Sequence, residues 1–266
     1  MKKKYNLYRA KICSRHPSHS ILRSVNKTLP LLPFKSVVRL GSTTVLADDN
    51  ERVQINTPQA VKNSASKLLM KQCFNNAGVK TARWIKGNDI LNWEFGFPLI
   101  AKSLYGSRGI GNTKFDTQEE LDKWLPNKNL NNYIFEEFVK MTREYRLHVT
   151  DDGCFYTCRK LVKNDAPEDT WQKHDDVCNW ILEDNPSFKK PNNWNDIVAD
   201  CIKAKNALGL DICAFDVMVQ GSKNGVEREN PEWNICESCS AASFGKITGE
   251  KYIEELTKLI IKKANN

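Results

Sequence analysis

Lys102 ends an apolar run, FPLIAK (97–102), and a loop with Gly106, Gly109 and Gly111 beside Ser107 and Arg108 follows it. Glycines let a backbone approach phosphate oxygens, successive N–H groups can cradle them, and a lysine beside them offsets their charge. The spacing is not G-x-x-x-x-G-K-[ST], and a strand rather than a helix is expected after it, so it is no dinucleotide fingerprint. Taken alone, it reads equally as the tip of a β-hairpin.

Two acids stand in apolar strands near the C-terminal end: Asp216 in CAFDVMV and Glu237 in WNICESC. A carboxylate on a buried strand is costly unless paired or metal-bound. On neighbouring strands of one hairpin the two can face the same side. That suits magnesium, which takes one or two carboxylates and keeps phosphate oxygens as other ligands. Pairing with Arg or Lys, or a solvated sheet face, is the alternative, and Asp211 at its strand start is read that way. In YIFEEFV (133–139), Glu136 and Glu137 must face opposite sides of a strand. Such an apolar-flanked strand edge is an adenine slot or an ordinary amphipathic edge.

The nine cysteines are odd in number and scattered, which reads as reduced thiols in a cytoplasmic compartment. Cys154, Cys158, Cys236 and Cys239 could be imagined as a zinc site, but small buried residues on strands are the preferred reading. No apolar run approaches the roughly 18 residues of a membrane-spanning helix.

The elements that must position these residues follow from caps, turns and periodicity. Residues 34–47 read as two short strands around a Gly-Ser turn. Thr57 and Pro58 open a helix whose apolar positions run to Cys73 and which Gly78 ends. A strand is expected at 79–84, a returning strand at 113–115, and a helix at 117–125 with a Thr117/Glu120 capping box. Strands 145–149 and 154–160 pair across Asp151-Asp152-Gly153. Residues 164–192, with His174, Asp175 and Trp180, read as an irregular loop that helps choose substrates. A helix over 194–208 ends at Gly209, strands 211–219 and 233–239 join through a turn at Asn224-Gly225, and a helix spans 249–264. Strands and helices intermix with hairpins, which gives an α+β fold with antiparallel sheets.

Charge is uneven. Residues 1–40 carry ten Lys or Arg and no Asp or Glu, so the whole +8 excess sits there. A solvated edge of the fold is the preferred reading, ahead of a polyanion-binding arm or a presequence; Pro30 and Pro33 interrupt the helix a presequence would form.

The order of these parts resembles the ATP-grasp superfamily, most nearly its ribosomal-protein glutamate ligase type and related bacteriophage-encoded carboxylate–amine ligases. The resemblance runs from Asn56 to Phe244 through Lys67, FPLIAK, GSRGIG, IFEEFV, REYRLHV, RKL, AFDV and CES. It implies two α+β subdomains gripping a nucleotide, at 56–130 and 131–266, after a short basic region at 1–55. It implies that Lys67 and Lys102 touch the phosphates and that Ser107, Arg108, Gly109 and Gly111 close over them. Glu137, Phe138 and Val139 would read adenine, and Glu144 would hold the ribose. Arg146 and Arg159 would face the phosphates or the acyl group, and Asp216 and Glu237 would bind magnesium. The implied reaction joins a small-molecule or peptide carboxylate to an amine with ATP, with Lys102 and Arg159 as catalytic residues and Arg159 stabilising the oxyanion. The alternatives are a phosphotransferase, or a non-catalytic nucleotide- or nucleic-acid-binding protein. Two departures stand out. Cys239 replaces the usual asparagine after the last metal-binding acid, and a thiol is a poor magnesium ligand. The region before Lys67 is also shorter than usual, which implies that part of the usual substrate-binding surface is missing or supplied by a partner.

Overall fold

The computed structural model describes residues 4–10, 16–29, 31–104, 109–167, 170–172, 176–223 and 226–265. Gly106, Ser107, Arg108, His174, Asp175, Cys13 and the Asn224-Gly225 turn lie outside the described residues.

The chain begins with a parallel unit. Strand β1 (Tyr8–Ala10), helix α1 (Ser18–Thr28), β2 (Lys35–Arg39) and β3 (Arg52–Ile55) build a three-stranded sheet in the order β1-β2-β3, parallel throughout. This corrects the expected hairpin over 34–47. Residues 43–46 form no strand, and the partner of β2 arrives only at Arg52, running alongside it. The expected single helix from Thr57 to Gly78 is two: α2 (Pro58–Ala65), capped by the Thr57 hydroxyl, and α3 (Lys67–Ala77), capped by Ser66 and ended by Gly78 in the left-handed region.

Next come β4 (Trp84–Lys86), β5 (Leu99–Ser103), β6 (Thr113–Phe115), α4 (Gln118–Trp124) and β7 (Tyr133–Glu137). Their four strands form an antiparallel sheet in the order β4-β7-β5-β6. Then β8 (Arg143–Thr150), β9 (Gly153–Val162), β10 (Cys178–Ile181), α5 (Trp194–Leu208), β11 (Cys213–Val219), the short pair β12 (222–223) and β13 (226–227), β14 (Trp233–Cys239) and α6 (Lys246–Ala264) complete the chain. The second large sheet is antiparallel, in the order β10-β9-β8-β11-β14. Strand β10 lies inside the stretch expected to be irregular and adds to the free edge of β9.

One face of the five-stranded sheet is apolar. Tyr145, Leu147, Phe215, Val217 and Ile235 point into a core closed by α5 and by Val61, Met70 and Phe74 of the α2–α3 pair. So α2 and α3 pack with residues C-terminal to 131, whereas β7 hydrogen-bonds between β4 and β5. The boundary expected at 130/131 therefore does not separate the sheets. Residues 1–55 are not a separate layer either: Leu22, Val25, Val38 and Ile55 share a core with Tyr252, Leu256 and Ile260 of α6.

Part of the N-terminal charge is internally answered. Lys35 pairs with Asp48 and Glu51, Arg52 with Asp48, and fully buried Arg39 with Asp49. Asp211 likewise pairs, with Lys263 at 2.6 Å, and accepts from the Asn56 amide.

His148 on β8 is buried beside the Tyr252 hydroxyl, 2.9 Å from Nδ1. Burial, aided by Arg146, pushes its pKa down to about 3. The unfolded chain takes up this proton below about pH 6.5 and the folded chain does not, so stability falls as pH drops from 6.5 towards 3. The expected slope from this group is up to about 1.4 kcal/mol per pH unit. Urea midpoints between pH 4 and 7 should flatten in His148→Gln relative to the parent; parallel curves would refute the assignment.

Candidate active site

The other face of the five-stranded sheet carries charge, and strand parity decides which residues are there. Arg146 lies opposite Asp216, Asp216 opposite Glu237, Glu144 opposite Lys160, and Lys160 opposite Trp180. Arg146 grips Asp216 with two donors, Nε to Oδ1 at 2.6 Å and Nη2 to Oδ2 at 2.8 Å. Lys160 donates to Glu144 at 2.6 Å. The Trp180 indole lies 4.8 Å from the Arg146 guanidinium carbon and 5.1 Å from Lys160 Nζ. A bulge after Asp216 leaves Cys236 without a cross-strand partner, and its thiol donates to the Asp216 carbonyl at 3.2 Å.

Lysines from the four-stranded sheet and from α3 meet this face. Lys67, the first residue of α3, lies 3.8 Å from Glu237. Lys102 on β5 pairs with Glu136 of β7 at 2.6 Å, and Lys71 pairs with the other oxygen of the same carboxylate at 2.8 Å. The Cys236 thiol is within electrostatic reach of Glu144, Asp216, Lys102 and Glu237. Lys102, Asp216 and Glu237, distant in sequence, thus come within electrostatic reach of one buried thiol where the two antiparallel sheets meet.

Burial acts against every charge here, and the partners outweigh it. Burial opposes Lys102, but Glu136 raises it above the ordinary lysine value. Burial opposes Asp216, but Arg146 holds it below the usual carboxylate range. Lys71 is the exception: burial lowers it, although Glu136 pulls the other way.

No protein-family model matches the sequence, and no curated protein matches it. Solved structures do. An ATP-grasp ligase, PsnB, complexed with a minimal precursor is similar over 98% of this chain and 100% of its own, with a TM-score of 0.62 at 12% identity. D-alanine–D-alanine ligase from Bacillus anthracis complexed with ATP is similar over 97% of both chains, with a TM-score of 0.63 at 12% identity. Biotin carboxylase from Campylobacter jejuni is similar over 85% of this chain and 54% of its own, with a TM-score of 0.60 at 15% identity. The chain has the ATP-grasp fold.

Within that ATP-grasp frame one expected residue is misplaced. Arg159 lies opposite Tyr145, on the apolar side of the sheet. Its guanidinium donates to the carbonyls of Ser187 and Phe188 and sits over the Tyr145 ring. It points away from Asp216, and its neighbour Lys160 takes the cleft side, because adjacent residues of a strand face opposite ways.

Glu137 forms two 2.7 Å bonds with Arg83, and the Phe138 ring lies 5.0 Å from Lys114 Nζ. The Phe138 amide donates to the Pro98 carbonyl, and Val139 is half-buried. Gly111, after the glycine loop, has φ 80° and leaves only 3.2 Å between an added Cβ and Ser103 Cβ, so a larger residue there would be strained in its backbone and tight against Ser103.

The donor set favours one hard cation over two. Glu237 is 40% exposed at its side chain, with Lys67 at a loose 3.8 Å, and so offers oxygens to an ion. Asp216 gives both oxygens to Arg146, and burial keeps the Cys239 thiol protonated. Among the described residues no three His, Cys, Asp or Glu side chains are grouped as a metal site, and no helix is long and apolar enough to cross a membrane.

Lys71, Lys160 and the inward role of Glu136 were not singled out from sequence. Lys71 follows Lys67 by one helical turn, and Lys160 follows Glu144 on the same sheet face; both signals need the register to be known.

Proposed function

We propose that this chain is an ATP-dependent carboxylate–amine ligase acting through an acyl phosphate. The observation that supports the reading is the proximity of four charges from four elements: Lys67 lies 3.8 Å from Glu237, and Lys102, Asp216 and Glu237 are within electrostatic reach of Cys236. Lys67 and Lys102 receive the phosphates. Glu137, Phe138 and Val139 line the adenine, and Glu144 takes the ribose once Lys160 shares it. A magnesium ion held by Glu237, and by Asp216 when Arg146 yields an oxygen, would offset charge on the transferred phosphoryl group. A substrate carboxylate oxygen attacks the γ-phosphorus and ADP leaves. An amine then attacks the acyl carbon, phosphate leaves, and the amine proton passes to solvent. Lys160 and Arg146, on the cleft face, replace Arg159 as the cations nearest the acyl group. The work is positioning and charge neutralisation, so no side chain serves as nucleophile.

The bidentate Arg146–Asp216 pair and the protonated Cys239 favour a second reading, a nucleotide-binding protein without turnover. ADP release should be measured against pools of amino acids, peptides and polyamines, with hydroxylamine present to trap acyl phosphate as a hydroxamate. The ligase reading expects ADP release that requires an acid, with hydroxamate formed. ATP bound but never consumed with any pool supports the second reading. ADP release with a phosphorylated product, indifferent to amine, supports a phosphotransferase.

A further inference from the structure

Behind the cleft, one carboxylate serves two lysines. Glu136 is 3% exposed, with Lys102 Nζ at 2.6 Å from one oxygen and Lys71 Nζ at 2.8 Å from the other. The two lysines differ in freedom. Lys102 stands at the cleft wall, 9% exposed and within electrostatic reach of Glu237. Lys71 is fully buried in the middle of α3 and donates also to the Thr81 hydroxyl, which in turn donates to the Ile235 carbonyl. It is therefore tied to β14, the strand that carries Glu237.

A lysine locked to a buried carboxylate is a poor phosphate ligand. Turning it towards a phosphate strips the carboxylate of its partner, and an unpaired buried charge is strongly unfavourable. Resting on the nucleotide reading above, we propose that Lys71 is a positioning residue: it stays on Glu136 as a resident counter-ion, so that Lys102 can leave that carboxylate for the nucleotide's phosphates. Glu136 holds Lys102 back while no nucleotide is bound, and Lys71 keeps Glu136 answered once Lys102 turns. Glu136 is held below the usual carboxylate range by Lys102 and Lys71 together, which outweigh its burial.

The test uses the full chain and isothermal titration with magnesium-ADP, alongside thermal melting of each variant. Lys71→Met should weaken magnesium-ADP binding at least tenfold, because Lys102 is then the only partner of Glu136. Glu136→Gln should bind no more weakly than the parent, because nothing then holds Lys102 back. Lys71→Met/Glu136→Gln should restore binding to within threefold of the parent, a rescue that simple loss of packing at position 71 does not give. Parent-like binding by a folded Lys71→Met chain, or failure of the folded double variant to recover, overturns the proposal. If Lys71→Met does not fold, weakened binding by folded Glu136→Gln overturns it instead. A parent chain that binds no nucleotide sinks the nucleotide reading itself, an outcome separate from any of these.

Discussion

Replacing Glu237 by Gln or Asp216 by Asn is expected to slow ATP turnover by about 100- to 1000-fold, the usual loss when one preorganised charge is removed from such a site. The two variants should differ in stability. Glu237 is 40% exposed with Lys67 only loosely placed at 3.8 Å, so its neutral isostere should melt like the parent. Asp216 is buried and holds both donors of Arg146. Its amide isostere leaves that guanidinium uncompensated, so Asp216→Asn should also melt lower. Initial rates of ADP release, compared at saturating ATP with melting curves for each variant, make the measurement. Wild-type turnover in a folded Glu237→Gln chain would remove the cation role of that acid. Wild-type turnover in Asp216→Asn would leave Arg146, and not a metal ion, as the reason for the carboxylate at that position.

The largest expected loss of stability lies far from the cleft. Arg39 on β2 is fully buried, and its Nη2 lies 2.5 and 2.6 Å from the two oxygens of Asp49. Nε donates to the Thr44 carbonyl and Nη1 to Gln54 Oε1, each at 2.9 Å, while Asp49 also accepts from the Leu46 amide. Asp49→Ala leaves a buried guanidinium without its counter-ion and should cost about 3–5 kcal/mol. For a chain of this size that lowers the melting temperature by roughly 10 °C. Urea denaturation with and without a second change, Arg39→Met, makes the check. The double variant should recover most of the loss, since removing both charges avoids the orphan. If Asp49→Ala melts within 1 or 2 °C of the parent, roughly the effect of an ordinary surface change, the pair is not load-carrying for the N-terminal sheet.

This pair also accounts for part of the basic N-terminal segment. A count of residues 1–40 finds only positive charge, because the answering acids Asp48, Asp49 and Glu51 come just beyond it in sequence. Folding brings β3 and its preceding turn alongside β2, and Lys35, Arg39 and Arg52 are paired there. The solvated-edge and polyanion-arm readings both take the charges of 1–40 as outward-facing, and for Lys35 and Arg39 the fold gives them acidic partners instead.

Local signals in the sequence were enough for a good part of the architecture. Thr57 at a helix start, Gly78 and Gly209 at helix ends, and Asp151-Asp152-Gly153 between β8 and β9 each act through their own backbone or a neighbour within a few residues. The apolar strand around Asp216 was likewise plain, since an acid in CAFDVMV needs a reason to be there. Residue order alone also marked out Lys67, Lys102, Asp216 and Glu237; in the fold Lys67 lies 3.8 Å from Glu237, and the other three are within electrostatic reach of Cys236. What sequence could not settle was parity and partnership. Arg159 and Lys160 are adjacent cations on β9, and only the pairing of β9 with β8 decides that Lys160 faces the cleft and Arg159 the core. Strand β10 has little apolar pattern of its own and exists because β9 offers a free edge. Glu136 and Lys71 lie 65 residues apart, on a strand and a helix that no local rule brings together. Side-chain type and spacing constrain what a residue is able to do. Which charge answers which is a property of contacts between distant segments, and only the packed sheets decide it.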